Sequence, residues 1–393
     1  LKRKRNWPAR IAFLAALVIT VSLVTLGCVS GLTAIGWSGG IVSNGFLYIG
    51  TQEGKLASIN LSDDSRLSSE ALVPVSQPGL FGCSASSGCG GGSARVPIYG
   101  TPALAGELVY IAGYNGRIYA YNADNLAVRW VFPREGYLSP IVGGIVTDGD
   151  RLYFGGSDGW VYALDAVTGD KLWTFKTDAK IWGTPAVLQQ TALNMSSNET
   201  RSENTVFIGS FDKKIYALNA LDGSKKWEFA TEGSIIATPL VFNNTVYIGS
   251  CDRNLYALKA HDGSLIWKIS GKNFFWAQPA VVDGTIYAGC LDGHVYVLDA
   301  SSGAQKNDYD LKSQIASTPV AVNDFVVVAS RKGVIYSINT QTGELKQLVD
   351  LKKDVNGPLT ANGDIVYIHT QDGVLQRINV VSGAILTAIS LHS

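Results

Sequence analysis

Short apolar runs, separated by polar segments of turn-forming residues, recur through most of the chain. Val246-Tyr247-Ile248 and Leu255-Tyr256-Ala257-Leu258 are β-rich runs on either side of a short polar segment. Asn115-Gly116, Asp158-Gly159, Asp292-Gly293 and Asp372-Gly373 occupy that segment in other copies, and such pairs tolerate the positive φ of a hairpin turn. A Thr-Pro-apolar run stands upstream, as in Thr184-Pro185-Ala186-Val187 and Thr238-Pro239-Leu240-Val241. Downstream, a second turn at Asp165 to Gly169 leads into Leu172-Trp173-Thr174-Phe175. Each unit therefore predicts four antiparallel strands in about 40 residues.

The unit repeats. The tyrosine of the second apolar run falls at Tyr119, Tyr162, Tyr216, Tyr256, Tyr296 and Tyr336, with Ala57 and Gln376 in the outermost copies. From Tyr216 onward the spacing is 40 residues at every step. A twisted four-stranded sheet cannot bury both faces alone, so the copies must stack and the stack must close. The expected fold is all-β: an eight-bladed β-propeller of four-stranded antiparallel blades, preceded by an N-terminal hydrophobic helix. The domain plan is residues 1–32 for the basic and apolar leader and 33–393 for the propeller. The first copy supplies its own inner strand (Trp37 to Val42) and the last its own outer strand (Ala384 to Leu391), so closure is expected through packed faces.

The leader breaks the pattern of short runs and turns. Ile11 to Leu26 is apolar apart from three hydroxyl residues, and no charge lies between Arg10 and Glu53. A helix of about 20 such residues crosses a ~30 Å hydrocarbon core. The basic cluster Lys2 to Arg5 would stay cytoplasmic, which places the propeller on the extracytoplasmic side. Thr25-Leu26-Gly27-Cys28 loosely follows a lipoprotein cleavage site, making Cys28 a lipidation candidate; an uncleaved signal anchor is the alternative. Opening on Leu1, the chain reads as a processed or clipped product.

Composition narrows the function classes. Acidic and basic residues cancel at 32 each, so no overall basic field is available to hold nucleic acid. Four histidines and five cysteines provide little for a metal-rich protein, and no two histidines share metal-ligand spacing. Cys83 and Cys89 lie close together in a Gly/Ser-rich insertion and would form a disulfide outside the cytoplasm. Cys251 and Cys290, one column apart in adjacent blades, are expected as free thiols.

Asp165 to Trp173 (DAVTGDKLW), Asn219 to Trp227 (NALDGSKKW) and Lys259 to Trp267 (KAHDGSLIW), beside Val246 to Leu258, resemble the pyrroloquinoline-quinone (PQQ) repeat family. That resemblance implies an eight-bladed propeller, found both in quinoprotein alcohol dehydrogenases and in a non-enzymatic, BamB-type branch of envelope assembly proteins. The dehydrogenases hold PQQ and calcium on the propeller axis, with carboxylates as base and ligands. No residue here can be matched to that set. Asp158, Asp212, Asp252, Asp292 and Asp372 fall in one hairpin column, Asp165 and Asp299 in another, and turn chemistry accounts for both. The adjacent-cysteine pair of many such enzymes is absent. No catalytic, cofactor-binding or metal residue is assigned, PQQ and calcium are disfavoured, and a PQQ-dependent dehydrogenase is the second reading.

One column points to binding instead. Three positions before the proline of each inner strand, or its equivalent, stand Trp37, Tyr99, Tyr137, Trp182, Ile236, Trp276, Ala316 and Val355. The inner strands converge on the axis, so the five aromatics either form a candidate axial collar for a ligand or an extended peptide, or plug the crowded axis and pack between blades. The expected protein is a monomeric, membrane-anchored extracytoplasmic scaffold. Its partners would be other envelope or secreted proteins.

Overall fold

The repeated apolar runs become paired strands in a computed structural model that describes residues 38–74, 95–194 and 199–392. These residues form eight four-stranded antiparallel sheets and one small two-stranded hairpin. Blade one is built from Gly40–Ser43, Phe46–Gly50, Leu56–Asn60 and Arg66–Ser68. Blade eight is built from Thr360–Asn362, Ile365–His369, Val374–Asn379 and Ile385–Ser390. Every blade takes its strands from one consecutive stretch, so no strand is exchanged between the two ends. The expectation of closure by packed faces holds. The leader helix with Cys28, the collar residue Trp37 and the Cys83–Cys89 pair lie outside the described residues. The small hairpin, Thr191–Asn194 with Glu199–Ser202, is an insertion in blade four.

The second and third strands carry the core. In blade five Val246, Tyr247, Ile248, Leu255, Tyr256, Ala257 and Leu258 are all buried, because both faces of these strands meet a neighbouring blade. The apolar clusters accordingly span blade pairs. Ile215, Ala217 and Trp227 of blade four pack with Ile248 and Leu258 of blade five.

A tryptophan column ties consecutive blades. The indoles of Trp130, Trp173, Trp227 and Trp267 donate to the carbonyls of Ala166, Ala220, Ala260 and Ala300 in the next blade. Three of those carbonyls also accept a phenol, from Tyr110, Tyr153 and Tyr247. Beneath each indole sits a glycine of the next blade at positive φ. A Cβ on Gly223 would lie 2.5 Å from the Trp173 ring. The sequence pattern Asp/Asn-Ala-x-x-Gly thus supplies both acceptor and platform. In blade six Asn307 replaces the indole, and Tyr309 reaches across instead to the Gly343 carbonyl at 2.6 Å.

Blade eight closes on blade one by other means. Leu47, Ile49, Ala57 and Ile59 of blade one form one cluster with Tyr367, Leu375 and Leu391. Over it, Arg377 makes a paired contact with Asp64, at 2.6 and 2.9 Å, while its Nε donates to the Thr387 carbonyl. On the inner side, Thr360 Oγ1 accepts from the Gly40 amide and donates to the Gly40 carbonyl.

Candidate functional site

Each blade begins with an extended lead-in whose residues alternate in burial. Around blade four, Ile181, Gly183 and Pro185 are buried, while Trp182 and Thr184 are half-exposed. The buried members fix the lead-in. Ile181 packs on Gly155 at the end of the previous blade's second strand, where a Cβ would come within 2.1 Å. Gly183 lies so close to the next lead-in that a Cβ would stand 2.8 Å from the Ile236 carbonyl oxygen. What remains of Gly-Thr-Pro faces the axis.

The axial positions enclose a cavity of about 400 Å³. Its outer ring contains Tyr99, Val142, Trp182, Ile236, Trp276, Ala316 and Asn356. Two positions further along each lead-in, an inner ring presents Thr101, Gly144, Thr184, Thr238, Gln278, Thr318 and Pro358. Tyr114, from the hairpin of blade two, completes the aromatic wall.

Three expected collar residues, Tyr99, Trp182 and Trp276, are brought together here. Tyr137 is not. It stands 37% exposed on the rim, and Val142 takes its place. Blade three lacks the Thr-Pro signal: Gly144-Ile145 occupies its register, so Pro140 is a false anchor. The same correction applies to Val355, which is buried while Asn356 faces the axis, because Pro358 takes the threonine place. Ile236 and Ala316 line the cavity as the spacing implied. The threonine ring was hidden in the sequence, because Thr-Pro reads as a strand-start marker. Its signal was the recurrence of threonine two positions after the collar residue, at Thr101, Thr184, Thr238 and Thr318.

The aromatic members are braced. Trp182 Nε1 donates to Ser157 Oγ at 3.1 Å, Phe211 packs edge-on at 4.8 Å, and Lys180 stands over the ring at 5.9 Å. Tyr99 and Tyr114 meet edge-on at 5.4 Å. Burial and the neighbouring Tyr114 raise the Tyr99 pKa, so it stays neutral at physiological pH. Of the exposed aromatics, Tyr114, Tyr137, Phe274 and Trp276 belong to this end of the propeller, on second-to-third-strand hairpins or on lead-ins, while Phe46 alone stands beside a first-to-second-strand turn at the other end.

The hairpin aspartates are structural. Asp212 Oδ1 accepts from the Lys214 amide, and its Oδ2 accepts from the Tyr216 phenol and the Asp178 amide. Asp158, Asp252 and Asp292 repeat the phenol contact with Tyr162, Tyr256 and Tyr296. Asp165 and Asp299 bind amides of their own turns. Cys251 and Cys290 are free thiols, and burial pushes Cys290 up to about 12.

The described residues around the axis do not supply the groups that a quinone with calcium requires. Calcium is held by six to eight oxygens that include carboxylates, and a quinone bearing carboxylates needs cationic partners. None of the described residues lining the cavity is acidic, basic or histidine. No group of three or more His, Cys, Asp or Glu able to hold a metal occurs among the described residues.

Comparison with known proteins points the same way as the repeat. The sequence profile of the family described as outer membrane protein assembly factor BamB matches residues 30–174 and 196–386. A profile for the β-propeller domain of glucose/ethanol/alcohol dehydrogenases matches residues 138–237. No curated protein matches the sequence. Among solved structures, BamB from Moraxella catarrhalis shares 21% identity at a TM-score of 0.61, covering 74% of this chain and 87% of its own. The computationally designed Ika8 protein shares 16% identity at a TM-score of 0.68, covering 87% of this chain and 96% of its own. Both likenesses are of fold.

Proposed function

Since the chain belongs to the family described as outer membrane protein assembly factor BamB, we propose that it is a non-enzymatic, protein-binding propeller of envelope protein assembly. The aromatic rim carries this reading. Tyr114, Tyr137, Phe274 and Trp276 are 36–41% exposed at one end of the ring. Aromatic side chains bring large contact area at small entropic cost, and they anchor protein interfaces. A partner segment seated on this end would cover them together.

Location follows the same reading. The Ile11 to Leu26 segment tethers the propeller to a membrane, either as an anchor or through Cys28, with the blades on the extracytoplasmic side. There the Cys83–Cys89 pair closes as a disulfide. The dehydrogenase reading is set aside because the cavity offers neither the carboxylates nor the cations that the cofactor pair requires.

Photocrosslinking residues at Tyr137 and Phe274, compared with Val167 and Leu221, test the proposal. The latter two lie in turns between third and fourth strands, at the opposite end. The rim positions should both capture one envelope protein that the opposite end does not. Equal capture from both ends, or none, would remove the proposal.

A further inference from the structure

The interior of the axial cavity has a chemistry that the rim does not share. In an eight-bladed ring, blades two and six stand opposite each other, so Tyr99 and Trp276 face one another across the axis. Trp182, from blade four, closes the wall at right angles to that pair. Behind the aromatics lie neutral hydrogen-bonding groups. Among the described residues, the side chains of Thr101, Thr238 and Thr318 have no hydrogen-bond partner. Gln278 donates its Nε2 to the Pro239 carbonyl at 2.9 Å, which leaves its carbonyl oxygen for an incoming donor. Thr184 accepts from the Gly144 amide and keeps its own hydroxyl proton to give.

A ligand must therefore satisfy two demands together. It has to present apolar faces to the aromatic rings and uncharged donors and acceptors to the threonine ring. An aromatic side chain from a partner meets the first and fails the second, because it would bury the hydroxyls unpaired at about 1–3 kcal/mol each. An anionic group meets neither, since no cation lines the cavity. A pyranose meets both: its axial C–H faces stack on aromatic rings, and its equatorial hydroxyls both donate and accept. The volume, about 400 Å³, lies at the lower end of the ~300–1,000 Å³ range of small-molecule sites and suits one or two such rings.

We propose that the axial cavity is a binding site for a neutral saccharide, with Tyr99 and Trp276 as stacking walls and the ring of Thr101, Thr238 and Thr318 as its polar floor. The site shares Tyr114 and Trp276 with the protein-binding rim, but its threonine floor does not rest on that reading.

The full chain in detergent is titrated with maltotriose, cellotriose, chitotriose and mannotriose, reading intrinsic tryptophan fluorescence and saturation-transfer NMR. A trigalacturonate and a neutral tryptophan-containing pentapeptide serve as competitors. At least one neutral trisaccharide should bind saturably. Trp276→Ala and Thr238→Val should each weaken it about tenfold or more while leaving the thermal midpoint in place. Tyr137→Ala, on the rim, should leave it unchanged. Thr238→Val keeps shape and removes one hydroxyl, so it separates recognition from packing. Failure of all four sugars to bind, binding indifferent to both variants, or preference for the acidic sugar or the peptide would overturn the assignment.

Discussion

Arg377 and Asp64, 313 residues apart in sequence, join the last blade to the first through two short hydrogen bonds. The ring borrows no strand from either end, so this contact does in blade eight what the indole column does in blades two to five. The Arg377 side chain is 10% exposed and Asp64 43%. Arg377→Ala should lower unfolding free energy by about 2 kcal/mol, as expected for a charge-assisted pair with a third bond to Thr387. Asp64→Asn, which keeps one acceptor, should cost about half that. Urea denaturation of both variants measures the difference, and equal, negligible losses would mean that apolar packing alone closes the ring.

The glycine beneath each indole offers an internal comparison. Gly223 and Gly383 have nearly the same φ, +74° and +72°, but only the former has a neighbour within reach of a Cβ. Gly383→Ala should cost about 1 kcal/mol for backbone strain alone. Gly223→Ala should cost clearly more, because the Trp173 indole must give up its hydrogen bond to Ala220. Thermal midpoints of the two variants decide the order.

His369 makes the closing seam sensitive to acid. It holds the place that Gly155, Gly209, Gly249 and Gly289 hold in other blades, and the Ser38 backbone carbonyl accepts from its Nδ1 at 3.3 Å. Its Nε2 is buried without a partner. Burial lowers its pKa below the ordinary 6.5, against smaller opposing effects of the Ser38 carbonyl and Asp372. Between the folded and unfolded values the unfolded chain binds the extra proton, so stability falls as pH drops below about 6.5. Denaturation at about pH 7.5 and about pH 5.5 should show that loss, and His369→Gln should flatten it. An unchanged slope in the variant would assign the acid sensitivity elsewhere.

The propeller was legible because each blade repeats its turn chemistry. Asp212 and Asp252 recur at fixed spacing since each must cap a hairpin and hold a tyrosine. The site was legible in part. Tyr99, Trp182 and Trp276 could be found from the proline that follows them, whereas blade three carries a proline in the wrong register and misplaced Tyr137. The closing clasp left no local signal. In blades three to five, alanine sits opposite the indole, as Ala163 opposite Trp173; blade eight puts the large residue, Arg377, on the third strand and Thr387 on the fourth. That exchange pairs residues from opposite ends of the chain, beyond any repeat period.

Absence of quinone chemistry is a separate expectation. Adding PQQ with calcium to the full chain should give no thermal shift and no dye-linked dehydrogenase activity, because the axis offers no charged ligand among the described residues. A shift that Trp276→Ala abolishes would reinstate the dehydrogenase reading.

The central claim is that partner proteins bind the aromatic end of the ring. Calorimetric titration of the envelope protein captured from that end, against Phe274→Ala with Tyr137→Ala and against Val167→Ala with Leu221→Ala, tests it most directly. The first pair should weaken binding about tenfold or more and the second should leave it unchanged. Equal affinity across all variants, or a loss confined to the second pair, would contradict it.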